Sequence, residues 1–270
     1  MANPTGKQLL RSSFALLRAN RQMLWVPLLS TLSFLFIVGV VGSPLLLALH
    51  GPWDFRHYLV LVLALAIGNF ATLLFNVALT YAASEQIEGR IIGIADAVRF
   101  AWSRRLVILK WTFFSGVVGL ALNMIERRVG IVSKVIGFLA ALSWAVAVFF
   151  VVPILAFENV GPIEAVRRSA NLMKETFGTV TRSALRFGTL FIPAMFVTML
   201  VVVVGVVTTH SSLAVGVPIL IVGVVAFLVV SACEVAAGTY LRVILFRFAT
   251  GKSVPDVGVN LHTVIAVKSK

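Results

Sequence analysis

Residues 152–177 read VPILAFENVGPIEAVRRSANLMKETF, and two patterns meet inside them. Val152, Pro153, Ile154, Leu155, Ala156 and Phe157 end an apolar run. Glu158 is the first acid after it, and Gly161-Pro162 breaks the chain direction. Beyond the break Ile163, Val166, Ala170, Met173 and Phe177 recur at helical spacing, with Glu164, Arg167, Arg168, Asn171, Lys174 and Glu175 on the other face. A helix with one apolar stripe and one charged face lies at an interface. The stretch therefore predicts a membrane span that ends and turns into a surface-lying amphipathic helix.

The composition agrees. Of 270 residues, 60% are hydrophobic and 12% charged, with a mean hydropathy of +1.03. A water-soluble domain is nearer half apolar and a quarter charged. The apolar residues come in blocks long enough to cross a ~30 Å hydrocarbon layer, which takes about 20 helical residues. The expected fold class is all-α: a polytopic helical membrane protein with six transmembrane helices at about 23–49, 58–83, 106–125, 135–157, 184–208 and 213–248. Residues 1–22 hold Lys7, Arg11, Arg18 and Arg21 without an acid, and Leu10, Phe14 and Leu17 form a stripe. They read as an N-terminal interfacial helix rather than a transit peptide. Residues 251–270 read as a cytoplasmic tail.

The net charge of +13 would suggest nucleic acid in a soluble chain. In a membrane protein it reads as cations retained on the cytoplasmic face near anionic lipid, and no nucleic-acid partner is expected. Of the 23 Lys and Arg, only Arg56, Arg127, Arg128 and Lys134 fall outside the N-terminus, the loops after spans two and four, and the C-terminus. This bias places both termini in the cytoplasm of a multi-pass plasma-membrane protein. Arg127, Arg128 and Lys134 are the discordant group, read either as headgroup anchors on the outer side or as the mark of a re-entrant segment.

A weak repeat runs through the chain. Gly89 is followed by Asp96-Ala97-Val98-Arg99, and Gly161 by Glu164-Ala165-Val166-Arg167; Thr239-Tyr240 to Gly251 echoes Thr80-Tyr81 to Gly89. Pro153, Glu158, Gly161, Ala165, Arg168, Ser169 and Leu172, with Phe246, Arg247, Ala249, Thr250, Gly251 and Pro255, carry a further likeness. Through them the chain resembles uncharacterised prokaryotic six-span membrane proteins, a domain of unknown function. It is distantly similar to the membrane domain attached to some glycerophosphodiester phosphodiesterases. The resemblance implies a helical bundle in a prokaryotic inner membrane. It implies no activity, since the phosphodiesterase chemistry belongs to a catalytic domain that this sequence does not contain.

Candidates for chemistry are few. Asn69, Thr72, Asn76 and Thr80 share a face of span two, and Asn123 in span three is a potential partner. Glu234 stands in an apolar run, where an ionisable residue is a functional candidate by default. These six define a candidate polar path. For the Glu234 carboxylate the expected partner is Arg182 or Arg186, with Arg242 too far along the same helix. Arg99, Arg104, Arg105, Arg167, Arg168 and Lys174 are the expected lipid-headgroup contacts. Glu85 and Glu88 read as a solvated face. Gly137, Ala141 and Ala145, and Ser115 with Gly119, are small-residue spacings that permit close helix approach. Three outer-loop histidines match no closed zinc site, and the lone Cys233 makes no internal disulfide. Without a nucleophile motif, phosphate loop or carboxylate pair, neither catalysis nor a cofactor is expected. The reading is a non-enzymatic membrane component that organises lipid or partner proteins, a second copy of the chain among them. A small ion or solute transporter or channel is the alternative.

The topology is testable. Cysteines introduced at Ser211 and at Ser253, in a Cys233→Ser background, should react with an impermeant maleimide from opposite sides of the membrane. Labelling from one side would contradict six crossings.

Overall fold

The computed structural model describes residues 20–47, 55–126 and 131–251. The helix expected over 1–22 (beyond its last residues), the loop holding Trp53, the pair Arg127 and Arg128, and the tail past Gly251 lie outside them. A 3-10 turn, Arg21–Leu24, leads into α1 (Trp25–Leu47). Then come α2 (Phe55–Ile87), α3 (Ile94–Ser103), α4 (Arg105–Glu126), α5 (Ile131–Ala147), α6 (Val151–Phe157), α7 (Pro162–Ser211) and α8 (Leu213–Ala249). No strand occurs among the described residues. Six segments are long and apolar enough to cross a membrane: Gln22–Val40, Phe55–Ile87, Arg105–Met124, Lys134–Phe157, Phe187–Ser211 and Leu213–Ala249. None has more than 22% of its most apolar window buried. Side chains such as Phe36, Met124 and Phe196 point outward, and only a hydrocarbon solvent tolerates that much exposed apolar surface. The fold is an all-α polytopic membrane protein.

Packing is uneven along the bundle. The largest fully buried side chains are Tyr240, Phe150, Phe246, Met23, Leu79, Ile108, Ile154 and Leu155. They belong to the 3-10 turn before α1, the ends of α2 and α8, the start of α4, and α6 with the turn before it, so the core sits at one end. At the centre is α2, which packs against α1, α3, α4, α6 and α8. From Leu74 to Ile87 almost every α2 side chain is buried, polar Thr80, Ser84 and Gln86 included. A helix with neighbours on all sides shows no single apolar stripe.

Two elements depart from the expected layout. Span four is broken: a turn at 148–150 separates α5 from α6. Pro153 explains it, because its ring clashes with the carbonyl four residues back, at Phe149, and it has no N–H to bond there. The surface helix and span five are one continuous helix, α7, of 50 residues. At ~1.5 Å per residue α7 is far longer than a bilayer core, so its first turns lie outside the hydrocarbon.

The face of α7 that packs inward is also displaced from the expected stripe. Ala165, Ser169, Leu172 and Thr176 are buried, at i, i+4, i+7 and i+11, while Ile163 is 73% exposed. Val166 is half-buried and Met173 buried; Phe177 has no described side chain. Small residues win because α6 lies close and needs a polar partner. The Phe150 N–H, left without a backbone acceptor by the break, donates to the Ser169 hydroxyl at 3.0 Å.

The closest helix approach is between α7 and α8. A Cβ on Gly205 would stand 2.6 Å from the Leu220 backbone, one on Gly216 would strike the Thr209 backbone, and one on Gly223 would come within 2.9 Å of Val202. The expected small-residue spacings make little helix contact: of Gly137, Ala141 and Ala145 only Gly137 is buried, and Gly119 has nothing within 4 Å.

Two outcomes follow. Ser169→Ala should cost about 1–3 kcal/mol, the usual loss when a buried N–H is stranded, seen as a lower melting temperature in detergent. Gly216→Val, where backbone opposes the new side chain, should separate α7 from α8 and destabilise by about 1–3 kcal/mol or more, whereas Gly119→Val should leave the melt unchanged.

Candidate functional site

The packed end carries a polar collar, and local chain geometry builds it. Gly89 adopts φ +82°, a conformation open to glycine. Its N–H bonds the Gln86 carbonyl at 3.0 Å and the Arg90 N–H bonds the Glu85 carbonyl at 2.9 Å, the paired bonds of a Schellman turn. The reversal swings Arg90 back over the end of α2. There its guanidinium donates to Glu85 at 2.6 and 3.0 Å, and also to Glu88. From α8, Arg247 donates to Glu88 at 2.6 Å and to the Ser84 hydroxyl at 3.1 Å. Its side chain is only 8% exposed. About two turns earlier, the buried Tyr240 hydroxyl donates to the Gln86 side-chain carbonyl.

Charge is balanced within this group. The Arg247 hydrogen bond holds the Glu88 carboxyl below its ordinary value of 4.5, with Arg90 adding to the effect and partial desolvation opposing it. A second pair closes the turn between α6 and α7, where Arg168 donates to Glu158. That bond raises the Arg168 pKa against the opposing effect of burial.

A cavity of about 200 Å3 lies between α1, α2 and α8, with Phe187 of α7 at its edge. Ser30, Thr31, Thr72, Asn76, Glu234 and Arg242 supply its polar lining. Glu234, Val235, Gly238 and Arg242 fall within roughly 100° of arc on α8 at 3.6 residues per turn. Arg242, expected to be out of range, therefore shares the cavity with Glu234. The side chains of Arg182 and Arg186 lie outside the described residues.

Of the six residues of the expected polar path, Thr72, Asn76 and Glu234 meet in this cavity. Thr80 is buried higher on α2 and donates to the Asn76 backbone carbonyl at 2.8 Å. Asn69 and Asn123 are exposed on the outside of the bundle. Among the expected headgroup residues, Arg99 is 83% exposed and 3.6 Å from Asp96. Arg104 lies over Phe100 and Arg105 over Trp102, at 5.8 and 5.9 Å to the ring centroids. Arg167 and Lys174 are exposed, whereas Arg168 is engaged by Glu158.

Sequence reasoning missed the collar. Glu85 and Glu88 are acceptors for two arginines rather than a solvated face. The available signal was Arg247 itself, a cation in an apolar helix end that needs a compensating acid. Among the described residues no three His, Cys, Asp or Glu converge as a metal site requires.

The collar gives stability an acid limb. Because the folded Glu88 pKa is depressed, its contribution is complete above about pH 4.5 and disappears as pH falls through the lower folded value. Melting temperature should therefore drop on acidification below about pH 4.5. Glu88→Gln should flatten that limb while lowering the melt at neutral pH, and an unchanged acid profile in the variant would refute the assignment.

No curated protein and no solved structure matches this chain. A family model described as a family of unknown function, DUF6159, matches residues 55–254; the match does not show the expected likeness to the glycerophosphodiester phosphodiesterases. That match runs from α2 through α8 and takes in the collar and the cavity-lining parts of α2 and α8, and the chain belongs to this uncharacterised family.

Proposed function

We propose that the protein is a non-enzymatic component of a prokaryotic plasma membrane that gathers anionic lipid around its cytoplasmic end and presents that end to partner proteins. One observation carries the reading. Two helical segments, α3 and the first turns of α7, are fastened by narrow small-residue faces, Ala97 with Ala101 and Ala165 with Ser169. Both start at glycines of nearly the same backbone shape, Gly93 at φ −76°, ψ 161° and Gly161 at φ −72°, ψ 166°. The fastening leaves Arg99, Arg105, Arg167 and Lys174 outward beside exposed Trp102, Ile91 and Ile163. Cations next to an aromatic and aliphatic rim suit the headgroup zone, where each basic residue is worth about 1 kcal/mol against anionic lipid. The basic bias of the sequence assigns this end to the cytoplasm, and the reading requires no cofactor.

The alternative, a route for ions or solutes across the bilayer, needs polar groups in a continuous line. The dispersal of Asn69 and Asn123 to the outside, with the cavity confined to one part of the bundle, favours the lipid-organising role.

The test is lipid-dependent stability of the full chain in nanodiscs. Phosphatidylglycerol in place of phosphatidylcholine should raise the melting temperature, and high salt should erase the gain. Replacing Arg99, Arg104 and Arg105 together by Gln should remove most of it. Equal stability of the wild type in both lipids would refute the proposal.

A further inference from the structure

We infer that the cavity between α1, α2 and α8 binds a small water-borne zwitterion, a primary ammonium joined by a short chain to a carboxylate or phosphate. The cavity holds one carboxylate, Glu234, and one guanidinium, Arg242. Among the described residues no ion pair or hydrogen bond engages the Glu234 carboxylate or the Asn76 amide. Arg242 lies over the Phe149 ring at 5.7 Å and interacts with the Glu234 charge without a direct salt-bridge contact among the described residues. Charges kept in an apolar bundle are expensive, and a ligand that bonds both groups would add to the attraction they already exert on each other across the cavity.

The charge pattern selects the ligand. A lone cation at Glu234 would be repelled by Arg242, and a lone anion at Arg242 by Glu234. A molecule with both signs is attracted at both ends. Eight residues separate the two positions, about 12 Å of backbone rise, part of which the long side chains span toward each other, so the ligand's charges must stand a few bonds apart. The guanidinium fork suits a carboxylate or phosphate, and Asn76 and Ser30 add neutral donors and acceptors between the ends. At ~30 Å3 per water, 200 Å3 admits a molecule of about seven to ten heavy atoms.

The order of the charges indicates the source. Glu234 is nearer the middle of α8 and Arg242 nearer its end, so the ammonium site is the deeper. In a phospholipid the phosphate is joined to the acyl chains and lies beneath the ammonium, the opposite order. Val235 and Arg242, both exposed, border the cavity.

The experiment uses the full chain in phosphatidylcholine nanodiscs and isothermal titration with 4-aminobutyrate and with free phosphoethanolamine. Saturable binding of at least one is expected, with n-butylamine and butyrate each weaker by tenfold or more. Glu234→Gln and Arg242→Gln should each weaken it by tenfold or more with the thermal melt unchanged. Arg242→Lys, which keeps the charge and loses the fork, is a second folded variant expected to bind less tightly than wild type. Equal binding of n-butylamine, no binding of either zwitterion, or binding insensitive to Glu234→Gln and Arg242→Lys would overturn the inference. Competition by phosphatidylethanolamine in the disc would assign the site to a lipid headgroup and overturn the water-borne source.

Discussion

A guanidinium almost removed from solvent is the interaction on which this bundle turns. Arg247 near the end of α8 reaches Glu88 and Ser84 at the end of α2, residues about 160 positions away in the chain. Losing Glu88 would leave a nearly buried guanidinium short of its acid, a costly loss even though Glu88 itself is partly exposed, so the two helix ends are held in register. That register brings Tyr240 to Gln86 and Phe246 against Phe150 and Phe157. Because α2 is the central helix, whatever fixes α8 to it also fixes α1, α3, α4 and α6 around the same end.

A second constraint arises from the break in span four. Backbone groups in an apolar bundle need protein partners, since no water is there to serve them. Pro153 interrupts the helix, Phe150 loses its acceptor, and Ser169 of α7 replaces it. The same joint holds the Glu158–Arg168 pair and the Gly161 helix start. Several residues of the two stretches that carry the resemblance, among them Pro153, Glu158, Gly161, Arg168, Ser169 and Arg247, take part in this joint or in the collar.

The result is a molecule with two unlike ends. One is cross-braced by ion pairs and aromatic contacts. The other is made of long apolar helices, with α7 and α8 in contact through glycines and most side chains left to lipid. The braced end bears the outward cations of α3 and α7, and the cavity with Glu234 and Arg242 lies between the two regions.

Much of this was legible in the chain. Hydropathy blocks revealed six spans because crossing a ~30 Å layer leaves a length signature in composition. Gly251 marked the end of α8 and Gly161-Pro162 the start of α7, because glycine and proline act through local backbone geometry. Tertiary structure alone decided the rest. Which face of α7 packs inward depended on how near α6 comes: Ala165, Ser169 and Leu172 join Met173 of the expected stripe in the core, while Ile163 is exposed. Whether Glu88 is solvated or paired depended on Arg247, far away in sequence. Whether Glu234 meets Asn76 and Arg242 depended on how α1, α2 and α8 assemble. Local pattern records how each segment partitions between water and lipid; partner choice depends on distances between segments, and those exist only once the helices have packed.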